Sequence, residues 1–252
     1  MAYTRYSESG HYIYGGADYV DFDGVAVPDD DVDVFIYTLF GDHGDDDDFW
    51  ERYNHGKRII DNYQKGFRVQ KLWKYAPDLE THISDIAALA DEVWHEYFTP
   101  IIGAEQVDYM LAKFQSPEQI TADVKKNDYT YFIAEDAKKK TLIGCCGVAH
   151  KEDYMLLSKL YVRRDFRGRG IARSLFEEAA AFCRWEYGYH KIRLAVDKNN
   201  IVAIAIYQKM GFVTVESVKT DIGGGFFMDD YLMEYCIGAV KRIGAKQPER
   251  QN

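Results

Sequence analysis

Leu160-Tyr161-Val162-Arg163-Arg164-Asp165-Phe166-Arg167-Gly168-Arg169-Gly170-Ile171-Ala172 is the stretch from which the rest of the chain can be ordered. An apolar, β-branched run enters a short loop of arginines and glycines, which becomes an amphipathic helix expected over Gly170–Tyr187. The first turn of a helix carries backbone N–H groups without intrahelical partners and a partial positive charge, so anions collect there. Gly168 and Gly170 have no side chain to hold an anion away from those N–H groups, and Arg167 and Arg169 add positive charge beside them. A diphosphate is the natural guest. A dinucleotide-binding turn, G-x-G-x-x-G, is the rival reading, but Arg173 stands where its third glycine belongs. The preceding strand also lies among hairpins rather than in a strand–helix–strand unit.

Upstream of this stretch, alternation and turn residues predict strands over Phe67–Trp73, Tyr129–Glu135, Thr141–Ala149 and Tyr154–Val162. Helical spacing predicts Leu79–Phe98, interrupted at Gly103-Ala104, then Glu105–Phe114, then a helix opened by Ser116-Pro117-Glu118 with Ser at the N-cap. Downstream come a strand over Lys191–Val196, a helix over Ile201–Met210 ended by Gly211, and strands over Phe212–Val218 and Tyr231–Ile237. The segment Asn200-Ile201-Val202-Ala203-Ile204-Ala205-Ile206-Tyr207-Gln208-Lys209-Met210-Gly211-Phe212 places Ala203 and Tyr207 one turn apart on one helix face.

These two segments together resemble the GNAT superfamily of N-acetyltransferases. The loop pattern Arg/Gln-x-x-Gly-x-Gly/Ala is met by Arg167, Gly170 and Ala172. The later pattern Asn-x-x-Ala-x-x-Leu/Ile-Tyr-x-Lys-x-Gly-Phe is met by Asn200, Ala203, Ile206, Tyr207, Lys209, Gly211 and Phe212. One departure is Arg164, where family members often carry Pro. The resemblance spans about residues 67–237 and implies an α/β fold of the α+β type, a mixed and mostly antiparallel sheet flanked by helices. It implies acetyl-CoA as cosubstrate, held by Leu160, Tyr161, Val162, Arg167, Gly168, Arg169, Gly170, Ile171, Ala172, Asn200 and Tyr207. A backbone N–H of the strand, with Val162 as the candidate, would polarise the thioester carbonyl. Tyr207 would protonate the leaving thiolate. Asn200 reads equally well as a plain N-cap.

Charge divides the chain. Residues 1–66 hold 15 Asp/Glu against 5 Lys/Arg, whereas the remainder holds 26 of each, so the whole net charge of −10 lies in the first quarter. The expected organisation is therefore a small acidic unit over 1–66, an acetyltransferase domain over 67–240 and a polar tail over 241–252. In the acidic unit, strands are expected over His11–Tyr14, Tyr19–Asp23 and Val25–Val27. A helix should carry Val32, Phe35, Ile36, Leu39 and Phe40, and a second should follow Asp45–Asp48 with Phe49, Trp50, Tyr53, Ile60 and Tyr63 inward. The Asp run lacks the glycine and terminal Glu of a calcium loop, so no metal is expected. Such acidity excludes nucleic acid as a partner of this unit. Neither a secretory leader nor a membrane-length apolar run is visible, and Cys145, Cys146, Cys183 and Cys236 show no metal-binding spacing, so a cytoplasmic protein is expected. A homodimer is compatible with the reading.

The acceptor is a primary amine by the resemblance. The pattern Trp94-x-x-Tyr97, Ile101-Ile102 and Gln106-x-x-Tyr109-Met110-Leu111 is similar to a subgroup that includes polyamine N-acetyltransferases. Helix-packing aromatics explain these residues equally well. Protein N-terminal or lysine amines, and a non-catalytic acyl-CoA sensor, are the alternatives. Glu92, Glu96, Glu105 and Asp108 are positioned to attract a cation or simply to solvate helix faces. No motif selects a general base; Glu135, Glu152, Asp153 and Asp197, near strand ends, are the candidates. Cys145 and Cys146 should occupy opposite faces of one strand, with an acetyl-cysteine route as a minor alternative.

Overall fold

A computed structural model describes the backbone of 4–6, 12–14, 19–22, 25–28 and 126, and backbone with side chains for 55, 57–59, 61–72, 74–125 and 129–237. The chain divides into two compact units, Met1–Lys65 with Gly238–Asn252, and Gly66–Ile237. In the first, β1 (Thr4–Tyr6) pairs with β2 (Tyr12–Tyr14), and β3 (Tyr19–Phe22) pairs with β4 (Val25–Pro28), both antiparallel. Three of these strands were expected from the turn residues, and β1 was not. The helix expected over Val32–Phe40, the Asp45–Asp48 run, the start of the helix after it and the tail from Lys241 lie outside the described residues.

The second unit runs from β5 (Phe67–Leu72) to α1 (Leu79–Val93), a wider π-helical turn (Trp94–Phe98) and α2 (Thr99–Ile102). Then follow α3 (Ala104–Phe114), α4 (Pro117–Lys126), β6 (Tyr129–Asp136), β7 (Leu142–His150) and β8 (Met155–Val162). The unit ends with α5 (Ile171–Tyr187), β9 (Lys191–Asp197), α6 (Ile201–Met210), β10 (Val213–Gly223) and β11 (Phe226–Cys236). One sheet orders these strands β10-β11-β9-β8-β7-β6-β5, antiparallel throughout except at β8–β9, which α5 joins as a parallel strand–helix–strand unit where hairpins alone were expected. This mixed sheet with helices on both faces is the expected α/β arrangement. Among the described residues, no helix is long and apolar enough to cross a membrane.

Alternation along the strands builds two cores. On one face α5 buries Leu175, Phe176 and Cys183 against Ile143, Cys146, Leu194 and Met233. On the other, α1, α3 and α4 bury Ile86, Val107 and Ile120 against Ile133, Cys145 and Tyr161. Each fully buried isoleucine contributes about 1.5–3 kcal/mol of transfer free energy. Cys145 and Cys146 fall on opposite faces, as their adjacency in a strand requires.

Two stretches depart from the sequence reading. The expected single helix over Leu79–Phe98 widens at Trp94–Phe98 and runs on to Ile102. Pro100 has no N–H for the carbonyl of Glu96, one turn back, and the helix accommodates that loss by widening. The last two strands are also much longer than their apolar residues predict. They pair through 219–230 and meet at Gly223-Gly224-Gly225, all with positive φ. That turn docks under α3: the Tyr109 hydroxyl donates to the carbonyl of Ile222 at 2.6 Å, and a Cβ on Gly223 would lie 2.8 Å from the same hydroxyl.

The α1–α4 side holds a sealed ionic group. Lys159, 3% exposed, donates to Asp123 Oδ2 at 2.7 Å and to the Tyr131 hydroxyl at 2.6 Å, and Gln119 donates to Asp123 Oδ1 at 2.7 Å. Burial lowers the Lys159 pKa, opposed by Asp123, and burial raises that of Tyr131. Removing one partner leaves the other charged and buried, which is far costlier than replacing both. Lys159→Met is therefore expected to lose about 3–5 kcal/mol of stability. The pair Lys159→Met with Asp123→Leu should recover most of that loss, as read by urea denaturation.

Candidate active site

β8 and β9 run parallel but pair only at Met155↔Ile192 and Leu156↔Arg193. The reason lies in β8. Against β7, Gly147 faces Lys159 while Val148 faces Leu157, so Ser158 is one residue too many, a β-bulge. A bulge bends its strand, and beyond Leu157 the strand stays with β7 and parts from β9. The wedge between 157–162 and 194–197 is the narrow part of a cavity of about 730 Å³.

The polar backbone inside this wedge follows from register. Arg163 N–H donates to the Ile143 carbonyl of β7 at 2.9 Å. Alternate residues of an antiparallel pair point opposite ways, so Tyr161 turns its backbone to β7 while Leu160 and Val162 turn theirs into the wedge. Arg167 Nε takes the Val162 carbonyl at 3.0 Å. The N–H groups of Leu160 and Val162 and the carbonyl of Leu160 remain, an open strand edge inside the molecule. Tyr161 contributes a buried ring on the α1–α4 side, meeting Trp94 edge-on at 6.4 Å.

At the wide end, Arg164–Phe166 form a 3₁₀ turn and Arg167 is extended. Gly168 and Gly170 then take φ of 79° and 86°, the left-handed region that favours glycine. Gly170 precedes α5, and the Ser174 amide donates to the Gly170 carbonyl at 3.0 Å. The amides of Ile171, Ala172 and Arg173 precede that first helical bond and lie open at the positive end of a 17-residue helix. A diphosphate fits this cradle.

The loop arginines are tied from the other side. Arg167 grips both oxygens of Glu96 at 3.0 and 3.2 Å and lies 5.5 Å from the Tyr97 ring centre. Arg164 is 3.6 Å from Glu96, and Arg163 is 3.6 Å from Glu92. Arg169 donates to the Asp165 carbonyl at 3.1 Å and lies over Phe166. Glu92 and Glu96 thus lace α1 and its π-helical turn to the loop. Asp108 pairs with His95 at 3.0 Å, and Glu105 is exposed.

Asn200 caps α6: its Oδ1 accepts from Ala203 N–H at 3.1 Å and from the Tyr97 hydroxyl at 2.9 Å. Gly211 ends the helix at φ 102°, as expected. Tyr207 lines the cavity and meets Phe212 edge-on at 5.6 Å. Burial raises its pKa, with Cys146 and Tyr97 adding to the effect, so the phenol is a proton donor at neutral pH. Burial also pushes the Cys145 thiol up to about 12 and that of Cys146 well above the ordinary range. Neither is among the cavity-lining residues, and nothing supports an acetyl-cysteine route.

Of the four carboxylates considered as bases, Glu135 holds Arg68 at 2.6 Å, Glu152 is exposed and Asp153 holds Lys191 at 3.1 Å. Only Asp197 of the four lines the cavity, and its Oδ1 accepts from Asn199 N–H at 2.7 Å. The sequence reading missed three other polar groups of the wall: the Lys159–Asp123 pair, Gln115, whose Oε1 is buried without a partner, and Asp230. Asp230 faces Asp197 across β11–β9. Burial raises its pKa to about 6, Asp197 and Asp229 adding to the shift and Lys198 opposing it. No motif marks these residues. A strand reading of 219–230 would have put Asp230 on the same face as Met228, but the Asp- and Gly-rich composition reads as a loop. Among the described residues, no three His, Cys, Asp or Glu side chains gather as a metal site.

The family model described as the acetyltransferase (GNAT) family matches residues 86–212, half of the chain. A Bacillus subtilis (strain 168) protein assigned as a [ribosomal protein bS18]-alanine N-acetyltransferase is 24% identical over 114 residues, 42% of this chain and 74% of that protein. Among solved structures, the PaiA N-acetyltransferase of Thermoplasma acidophilum in complex with coenzyme A superposes with a TM-score of 0.56 at 21% identity, covering 68% of this chain and 98% of that one. An acetyltransferase of the GNAT family from Staphylococcus aureus Mu50 gives 0.52 at 14% identity, over 68% and 99%. At these identities the structures speak for the fold alone. With the family model over the α1-to-α6 region that builds the wedge and the cradle, the chain belongs to the acetyltransferase (GNAT) family, acyltransferases that take their acetyl group from acetyl-CoA.

Proposed function

We propose that this protein transfers the acetyl group of acetyl-CoA to a primary amine by direct attack, both substrates being bound together, and that the acceptor is a small amine such as a polyamine. The observation that carries the reading is the wedge opened by the Ser158 bulge, which joins the open amides of α5 to a chamber on the α1–α4 side. Acetyl-CoA supplies the activated acyl group. The amides at Gly168–Ala172, with Arg169 beside them, hold its diphosphate. Arg167, already bonded to Glu96 and Val162, shapes the loop as much as it charges it. The inward N–H groups of Leu160 and Val162 pair with an extended arm, and one of them, Val162 in our assignment, polarises the thioester carbonyl. Asn200 acts through α6, fixing the helix that carries Tyr207, and Tyr207 protonates the sulfur.

Support for a small amine comes from the chamber wall, where Gln115 Oε1 and the Asp197–Asp230 pair offer acceptors to N–H donors. A second reading, acetylation of an N-terminal amine of a protein, is favoured by the Bacillus subtilis relative. Thiol release with spermidine, a simple alkylamine and an alanine-terminated peptide separates the two. Binding of acetyl-CoA with no amine-dependent thiol from any acceptor would instead mark a sensor.

Tyr207→Phe should lower kcat by about 10²-fold or more, the usual span of a lost general acid, while calorimetry finds the acetyl-CoA Kd essentially unchanged. Unaltered turnover would remove Tyr207 from the mechanism. Gly170→Ala forces an L side chain into the left-handed region at about 1–2 kcal/mol. It should weaken acetyl-CoA binding while leaving the KM for the amine unchanged.

A further inference from the structure

Asp230 is the carboxylate for which the wall of the cavity provides no partner. Its orientation follows from the alternation of β11: Phe226 and Met228 pack on the α1–α4 side, while Tyr231, Met233 and Tyr235 pack on the α5 side. The side chain of Asp230 therefore faces the chamber, is 4% exposed and lines the cavity. No described side chain bonds to it. Lys198, the cation beside it, is ion-paired to Asp229. The other carboxylates around the chamber are engaged: Glu92 and Glu96 with the loop arginines, Asp123 with Lys159 and Gln119, and Asp197 with the Asn199 amide.

We propose that Asp230 is the catalytic base of this enzyme, binding the ammonium group of an alkylamine acceptor and taking its proton, an assignment that rests on the acetyltransferase reading above. A buried, unpaired carboxylate is destabilising, and an alkylammonium is the chemical class that compensates it by both charge and hydrogen bonds. The groups that set its basicity are Asp197 and Lys198 at the end of β9 and Asp229 beside it. β10 faces it with Val218, and α3 brings Gln106, Met110 and Phe114, none of them titratable, to the same cavity. With the carboxyl poised at about 6, the group is ionised at neutral pH yet still a useful proton acceptor.

The step balances. R–NH₃⁺ gives one proton to the Asp230 carboxylate, and the freed lone pair forms the C–N bond at the thioester carbonyl carbon. The C–S bond breaks, sulfur leaves with the bonding pair and takes the Tyr207 proton. The remaining excess proton on nitrogen returns to the Tyr207 phenolate, and Asp230 later releases its proton to water. The products are the N-acetylamine, the CoA thiol and one proton.

The test compares Asp230→Asn with the unmodified enzyme on two acceptors, an alkylamine that is protonated at neutral pH and an aminooxy compound that is not. The variant should bind acetyl-CoA as before and melt no lower. It should lose about 10²-fold or more in kcat/KM for the alkylamine and far less for the aminooxy acceptor, a difference that a merely structural role would not produce. The unmodified enzyme should lose kcat/KM for the aminooxy acceptor only weakly, and for the alkylamine steeply, as pH falls through about 6. Alkylamine turnover within about threefold of the unmodified enzyme, or equal losses on both acceptors, overturns the assignment. Should Asp230→Asn fail to bind acetyl-CoA, the pH profiles decide alone: the steeper acid limb for the alkylamine supports the base, and identical profiles sink it. If the unmodified enzyme releases no thiol with any amine, the acetyltransferase reading falls first and takes this one with it.

Discussion

A parallel strand pair that separates half-way along its length must leave backbone N–H and C=O groups facing a gap, and buried backbone groups without partners are costly. That constraint organises this molecule. The extra residue at Ser158 keeps β8 in register with β7 on either side of the bulge while directing its outer edge away from β9. Part of the exposed polarity is satisfied from within, since Arg167 takes the Val162 carbonyl. What stays open is a short row of amides that an extended guest with amide groups of its own can satisfy. The wedge ends where α5 presents its free N-terminal amides, so one strand bend joins a site for an extended arm to a site for an anion.

The helical layer is fitted to the same loop. Pro100 denies Glu96 a helical hydrogen bond, the helix widens, and the π-helical turn brings Glu96 and Tyr97 to Arg167 and Asn200. Glu96 then holds Arg167 and Arg164, and Tyr97 bonds the cap of α6. Three segments distant in sequence are thereby fastened to one another: the helix that roofs the chamber, the anion loop and the helix that carries Tyr207. A cluster of arginines repels itself, and the two glutamates relieve that repulsion.

Polar groups on the chamber side are treated in two ways. Lys159, Asp123, Tyr131 and Gln119 satisfy one another and close off as a neutral unit. Gln115 Oε1 is buried without a partner, and Asp230 is buried with no described side chain bonded to it. The contrast separates polarity satisfied inside the fold from polarity that faces the cavity, where a buried group without a partner is costly.

The family, the fold class, the glycine turn that opens α5, both helix-end signals around Tyr207 and the opposite facing of Cys145 and Cys146 were legible in the residues. Each depends on spacing along a single segment: a glycine that must take positive φ, a cap at a helix start, alternation along a strand. The bulge at Ser158, the π-helical turn, the Lys159–Asp123 pair 36 residues apart and the cavity face of Asp230 were not legible. A bulge exists only relative to a partner strand, and an ion pair only once two segments meet. The strand that carries Asp230 is Asp- and Gly-rich, and its extended form is stabilised by pairing with β9 and β10 and by the docking of its turn under Tyr109, not by its own preferences. Local chemistry in the sequence thus marked the Arg/Gly turn at the start of α5, whereas only the assembled sheet brought Asp230 to the cavity wall.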